Sequence, residues 1–274
     1  MIATLQNGNA PKDLVVLPAF SFCGPVTKDN RDQIAENALG KTAQAASDFA
    51  VRLKAHLVAS FIEKDASAFY HTAILVGSYR QTHLDPLLDG VLAQGDNLPV
   101  FETAIGRIGL LLNDDFRFPE ASAVLGLRRA DIIAAPVSWS GQYGGPLQDA
   151  AGLFDQPYAA NTMILWYAAA KTAQAYTLVA NAVADGAMGS SGLFTINPID
   201  SLEGPVVGSV DREEIVAAEF TTLGTDYWMN QTKLVGGRRA DLAAPLVFPL
   251  QSKALAAWRA QPGFNIDSWT AYRQ

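Results

Sequence analysis

Residues Leu110 to Glu120 read Leu-Leu-Leu-Asn-Asp-Asp-Phe-Arg-Phe-Pro-Glu. An apolar run that enters a polar elbow and then a helix start is where α/β hydrolytic folds commonly expose a nucleophile, because the turn frees the side chain and the following backbone N–H groups face the reacting atom. Asn113 holds that place, and a carboxamide has neither an ionisable proton nor a usable nitrogen lone pair. Chemistry near the elbow would fall to its neighbours. Asp114 and Asp115, with Asp89 and Glu120, read either as acid/base or metal-binding carboxylates or as turn and structural groups. No histidine pair or ligand spacing supports a metal, so none is expected. Asp89 precedes Gly90 and is either a pocket carboxylate or half of an Asp-Gly turn. Cys23, the single thiol, is either a relocated nucleophile or a small buried hydrophobe for which no base is identifiable. Trp139, after Pro136-Val137-Ser138, either borders a cavity or fills a core. The Gly141 to Pro146 loop lacks the lysine and the strand–turn–helix setting of a phosphate loop, and no cofactor is expected.

Strand and helix signals alternate, as in a layered α/β fold. Val15 to Phe20 and His56 to Ile62 read as short apolar strands, separated by helical stretches between Asp29 and Lys54. There Ala45, Ala46, Phe49, Ala50 and Leu53 recur at the spacing of one helix face. Arg107 to Leu112 and Ile132 to Val137 flank a helix opening near Pro119, where proline is tolerated in the first turn. Asn161 can cap a helix reaching about Ala175, with Tyr176 to Val183 the next strand. Gly189 to Ile196 and Val206 to Val210 bracket a turn rich in Pro, Asp and Gly, which predicts a hairpin, and Ile215 to Phe220 alternates loosely.

In this order the segments resemble the nitrilase superfamily, the carbon–nitrogen hydrolases. Asp115 and Arg117-Phe118-Pro119-Glu120 match the family's nucleophile region. Asp13-Leu14-Val15-Val16-Leu17-Pro18 is similar to the strand leading to its glutamate, and Tyr79-Arg80-Gln81-Thr82-His83-Leu84 to the stretch carrying its lysine. Phe69-Tyr70-His71-Thr72-Ala73, Gln174 to Asn181 and Arg238-Arg239-Ala240-Asp241-Leu242 resemble three further strand and closing motifs. The resemblance implies an αββα sandwich of four layers and a Glu-Lys-Cys mechanism. Its three positions fall on Ala19, Gln81 and Asn113, none of which can act as general base, oxyanion-stabilising cation or thioester-forming nucleophile. The possible pocket is then Ala19, Gln81, Asp89, Asn113, Asp114 and Trp139, without a catalytic residue among the triad positions. His83 matches a family residue that is more often structural, and Asp89 lies close to where members place an additional carboxylate. The implied function is a noncatalytic small-molecule-binding or regulatory subunit. The alternatives are an amide or nitrile hydrolase using displaced residues (Asp89, Asp114, Asp115 or Cys23) and a structural assembly protein.

Two connections depart from the family pattern. Met1 to Gln6 reaches the next strand through only Asn7 to Lys12, too short for a parallel crossover, which needs about a dozen residues. Thr72 to Tyr79 runs straight toward Arg80 without an Asp-Gly hairpin turn. The expected domain spans residues 1–244, with an apolar arm over 245–274 packing on the body or on a second subunit. A homodimer or larger oligomer is expected, or a hetero-oligomer with an active paralogue.

With 274 residues, 49% hydrophobic and 17% charged, there is chain enough for one large core. A net charge of −7 and a pI near 4.9 argue against nucleic-acid partners. One cysteine excludes an intrachain disulfide. Lys171, Gln174, Asn181 and Asp185 interrupt the most apolar stretch, against a membrane span, and no secretory signal is visible. A cytoplasmic protein is expected.

Overall fold

The computed structural model describes residues 12–139, 163–183, 187–194, 205–221 and 230–239. Residues 1–232 make one compact unit and 233–274 a second. The described strands of the first unit form two sheets. One holds β1 (Leu14–Val16), β2 (His56–Asp65), β3 (Ala68–Ile74) and β4 (Ser78–Arg80) in that order, with β1 parallel to β2 and the rest antiparallel. The other contains β5 (Val100–Thr103), β6 (Gly106–Leu110), β7 (Ile132–Pro136), β8 (Tyr176–Ala180), β9 (Gly192–Phe194) and β10 (Val206–Val207), ordered β10-β9-β8-β7-β6-β5. Its centre, β6 to β8, is parallel, and the pairs outside it are antiparallel.

Period-two alternation sends neighbouring side chains to opposite faces, and here both faces are covered. Ile108, Leu110, Leu112, Ile132 and Ala134 meet Val58, Ala73 and Tyr79 of the first sheet. Leu111, Ile133, Ala135 and Val179 face the other way, onto α3 (Pro119–Leu127) and α4 (Met163–Ala173). Outside the first sheet, Val15, Leu17, Leu57 and Ala59 pack on Ala46, Phe49, Ala50 and Leu53 of α2 (Lys41–Leu53), the helix face that the spacing predicts. A short α1 (Arg31–Ile34) precedes it. The result is an αββα sandwich.

Local chemistry explains the ends. Gly40 begins α2 without a capping side chain, and Glu36 replaces it by accepting from the Thr42 backbone N–H (2.9 Å) and hydroxyl. The strand expected over Val15 to Phe20 is shorter, because beyond Val16 the chain leaves the ladder. Leu17 N–H still reaches Val58 O, at 3.0 Å, but Ala19 N–H turns to Val137 O of the opposite sheet, at 3.0 Å, and Phe20 adopts φ 59°. The connection expected to run straight through Thr72 to Tyr79 contains a hairpin instead. Leu75 N–H donates to Gly77 O at 2.9 Å and β4 returns along β3, so a turn forms without Asp-Gly. Residues 213–221 form no strand, although Phe220 stacks on Tyr176 with ring centres 4.2 Å apart. The β9–β10 hairpin forms as predicted. Its turn, the strand at Met1 to Gln6 with its short connection, the Asn161 cap, the Gly141 to Pro146 loop and the arm at 245–274 lie outside the described residues.

At the crossing of α3 and α4, a Cβ built on Gly126 would meet Ala173 O at 2.8 Å and Cα at 2.9 Å. Alanine gains roughly 1 kcal/mol over glycine inside a helix, but here the obstacle is backbone that cannot rotate aside. Gly126→Ala is therefore expected to lose about 1–3 kcal/mol net, read as a lower denaturant midpoint at unchanged m.

Candidate functional site

The elbow keeps the shape that its sequence implies. After β6 the chain stays extended through Leu112 (φ −132°, ψ 134°), turns sharply at Asn113 with φ 39°, and passes through a 3-10 turn (Asn113–Arg117) into α3. Positive φ is costly for most side chains, and asparagine is among the few that tolerate it. Asn113 is buried, and its Oδ1 accepts from the Ser138 backbone N–H at 2.8 Å. An N–H can only meet the oxygen end of the amide, so Nδ2 is left as a donor without a partner among the described residues.

One residue earlier, Val137 O accepts from Ala19 N–H. The chain leaving β7 therefore fastens the Ala19 turn of one sheet and the Asn113 elbow of the other. Gln81 joins them through the first sheet. Phe20 N–H donates to Ser60 Oγ (3.3 Å), Ser60 Oγ meets His71 Nε2 (3.0 Å), and His71 Nδ1 meets Gln81 Oε1 (2.8 Å), with the Phe20 and His71 rings stacked at 4.3 Å. Gln81 Nε2 donates to His83 O at 2.6 Å. His83 N–H then donates to Asp115 Oδ1 (3.0 Å), and Asp115 Oδ2 accepts from Leu112 N–H (2.8 Å), which returns to the elbow. Ala19, Gln81 and Asn113 thus lie on one closed circuit of contacts.

That circuit is neutral along its histidine side. Since Gln81 Oε1 only accepts, His71 carries its proton on Nδ1 and takes the Ser60 hydroxyl proton at Nε2. Burial pushes the His71 pKa down from 6.5 to about 4, against the hydrogen bond to Gln81 and the charge of Asp115. Arg80, beside Gln81, holds Glu63 through Nη2 to Oε1 (2.6 Å) and Nε to Oε2 (3.1 Å), and the Thr72 hydroxyl adds a third bond at 2.6 Å. Burial alone would raise the Glu63 carboxyl, but these bonds outweigh it and keep it below the ordinary value.

The other sequence candidates separate. Asp114 is buried and paired with Arg117 Nε at 2.5 Å; burial raises its carboxyl, against that pairing and with Asp85 and Asp115 adding to the rise. Asp89 is exposed and ends a 3-10 turn (Pro86–Leu88) before Gly90 at φ 69°. Trp139 is buried with Phe116 and Trp166, its ring centre 5.2 Å from that of Trp166, and its backbone exchanges hydrogen bonds with the Asn181 amide. Cys23 is partly buried, and burial pushes its thiol up to about 11, away from a thiolate at neutral pH. Among the described residues no three His, Cys, Asp or Glu side chains gather as a metal site, and no helix is long and apolar enough to cross a membrane. The sequence places His71 in a strand as a satisfied side chain, and both its ring nitrogens are engaged there; it assigns no role to Tyr79, whose only signal is a polar group inside a strand pattern.

The family model for carbon–nitrogen hydrolases matches residues 3–211. The chain belongs to the carbon–nitrogen hydrolase family. A probable nitrilase of Schizosaccharomyces pombe is 25% identical over 150 residues, covering 51% of this chain and 55% of that one. A nitrilase of Pyrococcus abyssi is 31% identical over 136 residues, covering 46% and 52%. The chain thus matches these relatives over about half their length. A carbon–nitrogen hydrolase from Helicobacter pylori G27 shares the fold at a TM-score of 0.65 and 18% identity, covering 90% of this chain and 89% of that one.

In this carbon–nitrogen hydrolase fold, neutral His71 has a stability consequence. The unfolded imidazole protonates below 6.5 while the folded one refuses the proton until about 4, so stability is full above pH 6.5 and falls as pH drops between these values. The loss is on the order of 3 kcal/mol. Denaturant midpoints measured across that window are expected to slope less in His71→Asn than in the parent.

Proposed function

We propose that this member of the carbon–nitrogen hydrolase family has given up the Glu-Lys-Cys covalent reaction and binds a small molecule, alone or as the regulatory subunit of an assembly with an active paralogue. The observation that carries this reading is how the three substituted positions are occupied. Ala19 offers only its backbone, Gln81 spends both ends of its amide on His71 and His83, and Asn113 fixes its oxygen on Ser138. No cation stands at Gln81 to stabilise an oxyanion, and asparagine cannot form a thioester. Displaced nucleophiles are poorly supported: the Cys23 thiol is pushed up, Asp89 is exposed, and Asp114 is committed to Arg117. Asn113 Nδ2 remains to donate to a ligand oxygen or nitrogen. The name of the two relatives, nitrilase, suggests nitriles and the corresponding amides or acids as the class to try.

Purified protein is expected to turn over no amide, nitrile or N-carbamoyl compound. At least one such compound, at a hundred times its Kd, should add about 2.7 kcal/mol and raise Tm by roughly 5–10 °C. Turnover that disappears in Cys23→Ala or Asp89→Asn would sink the binding reading.

A further inference from the structure

Asp115 is fully buried and faces five donors: Tyr79 OH (2.6 Å), Thr82 OH (2.9 Å), Leu112 N–H (2.8 Å), His83 N–H (3.0 Å) and His83 Nδ1 (3.2 Å). A carboxylate can only accept, so the His83 proton sits on Nδ1. Thr82 agrees with this: its hydroxyl gives its proton to Asp115, leaving its oxygen to accept from His83 Nδ1 at 2.9 Å. Nε2 consequently carries the lone pair. The ring cannot swing freely, because its face stacks on Phe118 with centres 4.0 Å apart and its own backbone N–H is held by the same carboxylate. Its side chain is 29% exposed, and Nε2 has no partner among the described residues. His71 is the opposite case, fully buried with both ring nitrogens engaged.

We propose that His83 and Asp115 form a general-base dyad beside the elbow, able to activate water against activated acyl esters without a glutamate, lysine or cysteine at the three triad positions. The carboxylate sets the tautomer and stabilises the imidazolium that forms, the division of labour seen wherever a buried acid orients a histidine base. The elbow is fixed to the same group, since Asp115 Oδ2 holds Leu112 N–H immediately before Asn113, whose free Nδ2 can donate to a carbonyl oxygen. One neutral donor stabilises an oxyanion weakly, so the reaction is confined to acyl groups with a good leaving group. Water gives a proton to His83 Nε2 as its oxygen bonds to the acyl carbon. The tetrahedral intermediate collapses, the bond to the leaving oxygen breaks with its electron pair going to that oxygen, and the imidazolium returns its proton to it. Carboxylic acid and alcohol or phenol are the products.

The test uses the full chain with p-nitrophenyl acetate at neutral pH. Multiple turnovers without a stoichiometric burst of p-nitrophenol are expected, slower in deuterium oxide, with a loss of about a hundredfold in His83→Gln and none in Cys23→Ser. Histidine 15N resonances of the unsubstituted protein should show His83 protonated at Nδ1, a reading that stands even if the variant does not fold. No turnover above buffer, a burst, a loss under about tenfold, or a proton on Nε2 overturns the dyad. Amide or nitrile turnover retained in His83→Gln would instead overturn the binding reading.

Discussion

The carboxylate of Asp115 is the constraint on which the site depends. It lies at 0% exposure between two sheets, and its two oxygens together serve both. Oδ1 takes Thr82 and His83 from the segment after β4, while Oδ2 takes Tyr79 OH from β4 itself and Leu112 N–H from the elbow. Burying a carboxylate costs several kcal/mol unless its lone pairs are met, and here they are met by five donors from two distant stretches of chain. The same constraint acts on its partners. Burial, reinforced by the adjacent carboxylate, pushes the Tyr79 hydroxyl well above its ordinary value, so that it stays a donor. Removing Tyr79 OH or Leu112 N–H leaves Oδ2 with a single donor in a dry place, which is why the position of the elbow and that of the Gln81 strand end cannot vary independently.

Given that anchor, the neutrality of the neighbouring circuit follows from electrostatics. A lone cation introduced at Gln81 without a facing carboxylate at Ala19 would be a desolvated charge against a fully buried imidazole. With alanine and glutamine together, the strand interior instead holds a run of neutral donors and acceptors in which Ser60, His71 and Gln81 satisfy one another. Arg80 shows the contrasting solution one residue away. It keeps its charge by reaching Glu63 and, at 2.7 Å, Asp65 near the surface, where water shares the cost. Charge in this sheet is thus gathered in the Arg80, Glu63 and Asp65 group, and the Ser60, His71 and Gln81 run beside it is joined by hydrogen bonds without charge.

The sequence was most legible where short-range rules act. The Leu110–Leu112 run, the polar turn and Pro119 specify strand, elbow and helix within a dozen residues, and the spacing of Ala46, Phe49, Ala50 and Leu53 specifies the buried face of α2. It was silent where the partner is far along the chain. Tyr79 and Asp115 are 36 residues apart and meet only because two sheets stack, so neither spacing nor composition announces the bond. The β3–β4 turn was missed for a different reason: Leu75 and Gly77 close it through backbone, with no Asp-Gly signature to read. Trp139 admits two readings in sequence because indole suits a cavity wall and a core alike, and the neighbouring Phe116 and Trp166 decide for the core.

Asn113 then has an explanation that does not rest on a ligand. Its φ of 39° is imposed from both sides, by Leu112 N–H on Asp115 before it and the 3-10 turn after it. A backbone fixed in this way selects the residue that suffers least there. Left-handed geometry costs most side chains roughly 1–2 kcal/mol, and asparagine less, because its short amide can bond locally. Ser138 N–H supplies that bond. A change of side chain at such an elbow therefore does not by itself relax the turn, since the strain belongs to the Asp115 anchor and not to the residue at its apex. The turn is thus held by backbone bonds and the Asp115 carboxylate rather than by the chemistry of the residue at its apex.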